Sequence, residues 1–305
     1  MKYFFIKNGR HTKETLIMNY DMYKLRDGIS RDNINIGALS INPHPEAVKI
    51  LMRTPAKIYW YWLARNPCPE AANIIKANLN KVKIKWLSGN PSSELIQVVK
   101  EKYPQHIDWD ELSGNPCPEA IKLLQENPEK ICWYNLSKNP SPEAIKMLKE
   151  NMDKVNWDGL SENPCPEAIK LLKENPHNIK WCGLSANPSP DALKMLKENL
   201  ERIHWYLLSG NPGPEAIKLL RENVNNIDWD ELSGNHSLEA LDLLLKHPDK
   251  INFAALSSNP CIFERDYIKM SELRTRILLE DLMKNTLHPR RIIRFLELGG
   301  DMDDF

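Results

Sequence analysis

Along Ser141–Asn151, apolar Ala144, Ile145, Met147 and Leu148 recur at helical spacing while Lys146, Lys149 and Glu150 fall on the other face. Ser141 stands where an N-cap belongs. Pro142 follows at the first helical position, where its missing N–H costs nothing and its fixed φ helps. Glu143 then faces the positive end of the helix dipole. The pattern predicts a helix of about ten residues with Asn151 as a left-handed stop, too short to persist alone in water. A shorter pattern follows, as in Ile107–Gly114. There Trp109 and Leu112 share a face at i, i+3, Asp108 can cap, Glu111 can reach back as a capping box, and Ile107 with Leu112 can staple the start. So little chain remains before Asn115-Pro116 that this element reads as one turn of α or 3₁₀ helix. Pro116 ends it by pushing Asn115 out of the helical region.

The two patterns alternate along most of the chain. Asn-Pro recurs at Asn42, Asn66, Asn90, Asn115, Asn139, Asn163, Asn187, Asn211 and Asn259, and Asn235 is a further anchor with His236 in the proline slot. The anchors are 24 residues apart except Asn90 to Asn115, which is 25. Neither helix can bury its stripe alone, so the units must stack. The expected fold is an all-α solenoid of about nine two-helix modules, on the order of 80 Å long at ordinary helix spacings. Trp60, Trp109, Trp133, Trp157, Trp181, Trp205 and Trp229 would form a buried spine, with Ile36, Ile84 and Phe253 in the same slot. Asn115, Asn139, Asn163, Asn187 and Asn211 would line the corners. Residues 1–33 are expected to form an N-terminal cap, 34–261 the repeat domain, and 262–305 a helical C-terminal cap. In that last cap a helix over Glu272–Leu287 would turn Leu273, Ile277, Leu278, Leu282 and Met283 inward, ahead of the acidic tail Asp301, Asp303 and Asp304.

Composition narrows the chemistry. Lys plus Arg and Asp plus Glu are equal at 41 each, which argues against a chain devoted to phosphate backbones. No apolar run is long enough to span a membrane, and the opening Met1–Ile6 is too short for a signal-peptide core. Six scattered cysteines point to a reducing, intracellular setting such as the cytoplasm. Cys68, Cys117, Cys165 and Cys261 occupy the N-cap slot that serine fills at Ser92, Ser141, Ser189 and Ser237. A thiol there can become reactive, but alternation with serine reads as a small capping side chain. No His/Cys cluster has zinc spacing, and the eight histidines do not converge. The carboxylates after the second proline (Glu46, Glu70, Glu94, Glu119, Glu143, Glu167, Asp191, Glu215, Glu239) share one environment, unlike an acid/base pair. The lysine column Lys49, Lys122, Lys146, Lys170, Lys194 and Lys218 could track phosphates. Each lies near a glutamate at helical spacing, so a mixed solvated face is the plainer reading. No catalytic residue, cofactor or metal is expected.

The positions four and five before each anchor vary freely: Tyr61 and Trp62, Lys85 and Trp86, Asp110 and Glu111, Tyr134 and Asn135, Tyr206 and Leu207. If that side faces out, Tyr61, Trp62, Trp86, Tyr134 and Tyr206 are candidates to bind a partner. If it faces in, Trp62 and Trp86 are extra core. Cys117–Leu124 and Cys165–Leu172 both read CPEAIKLL, with close variants at Ser141–Leu148 and Ser189–Leu196, as if 48-residue pairs had been copied. No active site breaks the symmetry.

The corners Leu136-Ser137-Lys138-Asn139-Pro140 and Leu184-Ser185-Ala186-Asn187-Pro188 resemble those of the leucine-rich repeat variant, a 24-residue helical repeat. That resemblance implies alternating α and 3₁₀ helices in a right-handed superhelix, although tryptophan stands where the family carries an aliphatic residue. The tryptophan-rich unit, and the segment Leu287–Gly299, also look similar to repeat proteins of giant nucleocytoplasmic DNA viruses. Neither resemblance brings an activity. The expectation is a non-enzymatic scaffold that binds another protein, with single-stranded nucleic-acid binding or a structural virion role as alternatives.

Overall fold

The computed structural model of the chain describes residues 22–285, 288–299 and 301. It is an all-α repeat fold, and the only strands among the described residues are β1 (Tyr23–Leu25) and β2 (Phe263–Arg265). The chain divides into two units. One is Asp27–Ile262; the other holds what precedes and follows it.

Within Asp27–Ile262 each repeat carries three helical pieces rather than the expected two. A long helix such as Pro142–Glu150 is followed by a 3₁₀ turn, Met152–Lys154, and then by a short helix, Trp157–Glu162. The short element is α-helical in most repeats and 3₁₀ at Ala38–Ser40 and Ile84–Gly89. Ser141 caps as expected, accepting from Ala144 N–H at 3.1 Å, and Asp108 accepts from Glu111 N–H at 3.3 Å. Glu111 does not complete a capping box; its carboxylate turns to Arg65 instead. The helix stop also works differently. Asn151 has φ −137°, not a left-handed value, and its side-chain N–H donates to the Met147 carbonyl at 2.9 Å. Asn78, Asn127, Asn175, Asn199 and Asn223 do the same. Each thereby satisfies a carbonyl that the helix end would leave unpaired.

The core is aliphatic. Leu63, Leu87, Leu112, Leu136, Leu160, Leu184, Leu208, Leu232 and Leu256 of the short helices are essentially inaccessible, as are the Ala, Ile and Leu stripes of the long ones. The tryptophan column is not the buried spine expected from the sequence: Trp60, Trp109, Trp133, Trp157, Trp181, Trp205 and Trp229 are all half-buried. Each opens a short helix at the margin of the packed layer, and Leu112-type residues three positions on take the interior.

Ten buried asparagines bind the repeats together. The Asn163 side-chain N–H group donates to the Ser137 and Asn139 carbonyls, both at 2.8 Å, while its Oδ1 accepts from Cys165 N–H at 2.9 Å. One asparagine thus ties two consecutive turns and starts the next helix. A serine column adds a second tie. Ser137 Oγ donates to the Trp133 carbonyl at 2.7 Å and accepts the Asn156 N–H of the next repeat at 3.0 Å.

This ladder has no end. Asn42, in the first repeat, donates to the carbonyls of Ser257 and Asn259 in the last, both at 2.9 Å. Asn35 N–H donates to Ser257 Oγ at 2.8 Å. Those are the bonds that join interior pairs such as the repeats of Asn139 and Asn163, and the last short helix, Phe253–Ser258, packs on the first, Ala38–Ser40. The repeats therefore close on themselves, ten corners in a ring, in place of the open stack of about nine modules with a cap at each end. Consecutive short helices pack more closely than consecutive long ones, which sets the short helices on the inner layer and the long ones on the outer.

The close approach of short helices is visible at Gly159. A Cβ there would lie 2.7 Å from the Tyr134 carbonyl oxygen, closer than side chains tolerate. Gly159→Ala is expected to destabilise by about 1–3 kcal/mol despite alanine's better helix propensity. Gly114→Ala, where the nearest atom would be 3.7 Å away, should be neutral or slightly stabilising. Thermal unfolding of the two variants compares them directly; equal effects would mean the short helices stand further apart.

In the second unit, β1 and β2 pair antiparallel with Lys24 opposite Glu264, an ion pair at 3.2 Å, and Arg26 at 3.3 Å from the same carboxylate. Helices Tyr267–Asn285 and Pro289–Glu297 follow. The expected inward stripe is only partly inward: Leu273 is buried and Ile277 half-buried, whereas Leu278, Leu282 and Met283 are exposed. Of the expected N-terminal cap, residues 1–21 lie outside the described residues, as do Leu287 and Asp303 and Asp304 of the acidic tail.

Candidate interaction surface

Several of the side chains that could carry chemistry make structural bonds. Cys68, Cys117 and Cys165 do not cap their helices; each thiol donates to the carboxylate two residues on, Glu70, Glu119 and Glu167, at 2.8–3.0 Å. Burial, reinforced by the Glu70 hydrogen bond, pushes the Cys68 thiol up to about 11, and the same two causes raise Cys165. Thiols so placed are poor nucleophiles. At pH 8 a group of pKa about 11 is roughly a thousandth thiolate. Iodoacetamide at that pH is expected to leave Cys68 and Cys165 of the folded protein unmodified while alkylating both in urea; peptide mapping that found Cys68 promptly alkylated in the fold would refute this.

Other members of the carboxylate ladder tie neighbouring repeats. Lys173 pairs with Asp191 at 3.2 Å and Lys197 with Glu215 at 2.7 Å, each joining one long helix's last turn to the next one's first; Lys76 and Glu94 are joined in the same way. These pairs favour both helix dipoles at once, though at such exposure each contributes little. From Lys122 on, the lysine column is exposed, as a mixed solvated face would be, with the charges of Lys122 and Lys218 acting on Glu119 and Glu215 three residues before them. Lys49 pairs with Glu46 at 3.1 Å, but Lys122, Lys146, Lys170, Lys194 and Lys218 form no ion pair among the described residues. Among the described residues no three His, Cys, Asp or Glu side chains gather as a metal would require, and no helix is long and apolar enough to cross a membrane.

Of the aromatic candidates, the structure brings three together. Tyr61 meets Trp62 and Trp86 edge-on, ring centres 5.2 Å apart in both cases. Trp62 is 43 % exposed and Tyr61 39 %, so the extra-core reading fails for them; Trp86 is half-buried. The Arg65 guanidinium lies 4.1 Å over the Tyr61 ring and binds Glu111 with its other edge. Tyr134 and Tyr206 are exposed but stand alone in later repeats. Tyr134 lies under the Lys138 ammonium, and a hydrogen bond to Glu231 raises the Tyr206 phenol.

Sequence reading missed the company these aromatics keep. Tyr59, 52 % exposed, precedes them, and Lys83 sits 5.4 Å over Trp86 while Lys81 sits 5.4 Å over Trp60. Beside them a groove of about 450 Å³ runs between the first two long helices, lined by Met52, Ile58, Trp60, Ile74 and Lys81. The missing signal was the distribution of charge. Residues 31–107 carry eleven Lys and Arg against five Asp and Glu, residues 108–262 sixteen against twenty-four. Though the chain is neutral as a whole, the ring of repeats within Asp27–Ile262 has one basic sector and a long acidic remainder.

No family model matches the chain, and neither a curated protein nor a solved structure matches it.

Proposed function

We propose that the protein is a non-enzymatic scaffold, a closed right-handed α-solenoid of the leucine-rich repeat variant kind, that binds another protein through its surface. The carrying observation is the exposed cluster of Tyr61, Trp62 and Trp86. The fold has no packing need for large aromatics at these positions: the slot of Trp62 and Trp86 holds Gly159 and Gly183 elsewhere in the ring, and that of Tyr61 holds Asp158 and Cys182. Exposed aromatic clusters of this kind anchor protein interfaces. The thiols of Cys68, Cys117 and Cys165 and carboxylates such as Asp191 and Glu215 are engaged in bonds within and between repeats, which fits binding better than turnover. A second reading, single-stranded nucleic-acid binding, is favoured by the five exposed lysines of the outer helices that form no ion pair among the described residues.

The test is affinity purification of the tagged chain from its native cells, with and without nuclease, read by mass spectrometry. A polypeptide retained in near-stoichiometric yield after nuclease supports the scaffold. Recovery of no polypeptide overturns it, and loss of all bound material on nuclease treatment replaces it with the second reading.

A further inference from the structure

The basic sector and the aromatic cluster coincide, and together they define what would bind there. Lys57 ends one 3₁₀ turn, Tyr59 immediately precedes the next short helix, Tyr61 and Trp62 lie in its first turn, and Lys83 and Trp86 repeat the arrangement one unit on. All belong to the edge where the 3₁₀ turns lead into the short helices. Lys57, Lys81, Lys83 and Lys85 form no ion pair among the described residues, so their charge is available to a ligand. We propose that the edge formed by Lys57, Tyr59, Tyr61, Trp62, Lys83 and Trp86 binds a short acidic segment of a partner protein. The proposal rests on the scaffold reading and gives that partner its chemistry.

Charge complementarity sets the sign of the ligand, and the borders of the edge set its length. On the far side the next short helix presents Asp108, Asp110 and Glu111, and Lys85 shares a groove with the two aspartates. A nucleic-acid strand longer than the basic stretch would have to run over those carboxylates, whereas a short peptide ends before them. Two repeats at helix-packing distance span roughly 20 Å, about six residues of extended chain. The aromatic faces would cover the apolar parts of such a segment while the ammonium groups meet its carboxylates.

The direct test is fluorescence anisotropy of fluorescein-labelled hexaglutamate with the full chain, alongside labelled hexalysine and a short oligothymidylate. Hexaglutamate is expected to bind, to weaken about tenfold or more in Lys83→Glu and in Trp86→Ala, and to weaken with added salt. Lys130→Glu, on the 3₁₀ turn of a distant repeat, should leave binding unchanged. Circular dichroism identifies any variant that misfolds, and Lys57→Glu then serves in its place. Absence of hexaglutamate binding overturns the proposal, as does binding that all the edge variants leave intact or tighter binding of oligothymidylate. A dimer seen by light scattering and lost in Lys83→Glu also overturns it, since the acidic remainder of a second copy would then be the occupant. If a captured native partner is held equally by the wild type and by Lys83→Glu, this site fails while the scaffold reading stands. If the wild type captures nothing, the scaffold reading is what fails.

Discussion

Asn163→Ala is expected to lower the unfolding free energy by about 3–6 kcal/mol. The substitution removes two donated bonds and one accepted bond in a region that is wholly inaccessible, leaving the Ser137 and Asn139 carbonyls and the Cys165 N–H without partners. A buried polar group left unmade costs on the order of 1–3 kcal/mol, and here three are stranded at once. Asn163→Asp should be at least as harmful. It keeps an acceptor for Cys165 N–H but aims a buried carboxylate at two carbonyl oxygens. Asn151→Ala, which removes one half-buried bond, should cost about 1 kcal/mol. Urea denaturation measures all three. A loss at Asn163 no greater than at Asn151 would mean that water enters the corner and replaces the amide.

Removing one whole repeat is the second large effect. Deleting residues 164–187 joins Asn163 directly to Pro188, so the Asn-Pro corner is regenerated and every remaining unit keeps its local sequence. In an open array such a deletion subtracts one unit and one interface, and the rest stays folded. In a ring the remaining units must each turn further to meet, or the seam opens. An open seam strands the Asn42 amide and the Ser257 and Asn259 carbonyls and uncovers the apolar faces of two repeats, together several kcal/mol beyond the unit's own share. The expected result is a midpoint shift much larger than one repeat's share, with loss of hydrogen-exchange protection at Asn35 N–H. A single substitution probes the same seam more gently: Asn42→Ala should cost as much as Asn163→Ala. A small loss at Asn42 would show an unjoined first repeat.

The repeat, the long helices and serine caps such as Ser141 were legible because each rests on a local rule: proline at the first turn, a small polar residue before it, an apolar stripe at helical period. The 3₁₀ turn was hidden in residues such as Pro128-Glu129-Lys130, which look like loop because one turn has no period to detect. Trp109 and Leu112 share a helix face, and hydrophobicity ranks both as core; only the packing shows that leucine reaches the interior while the indole lies at its margin. Closure was beyond local reading altogether. It depends on the small rotation between neighbours, set by contacts such as that of Gly159 with the Tyr134 carbonyl. Of the candidate surface, Tyr61 and Trp62 could be found as residues the repeat does not require. Tyr59 and Lys83 could not while charge was summed over the whole chain.

The near-identity of Cys117–Leu124 and Cys165–Leu172 makes the coding sequence prone to unequal recombination, the usual way repeat proteins lengthen and shorten. An open array accepts such changes gradually, each descendant a little longer or shorter than its parent. Exchange between these two segments would give descendants two units too short or two units too long, and neither could satisfy the Asn42 amide with the last repeat's carbonyls. Selection on this molecule therefore acts on repeat number as an integer, while leaving the exposed residues of each unit free to diverge.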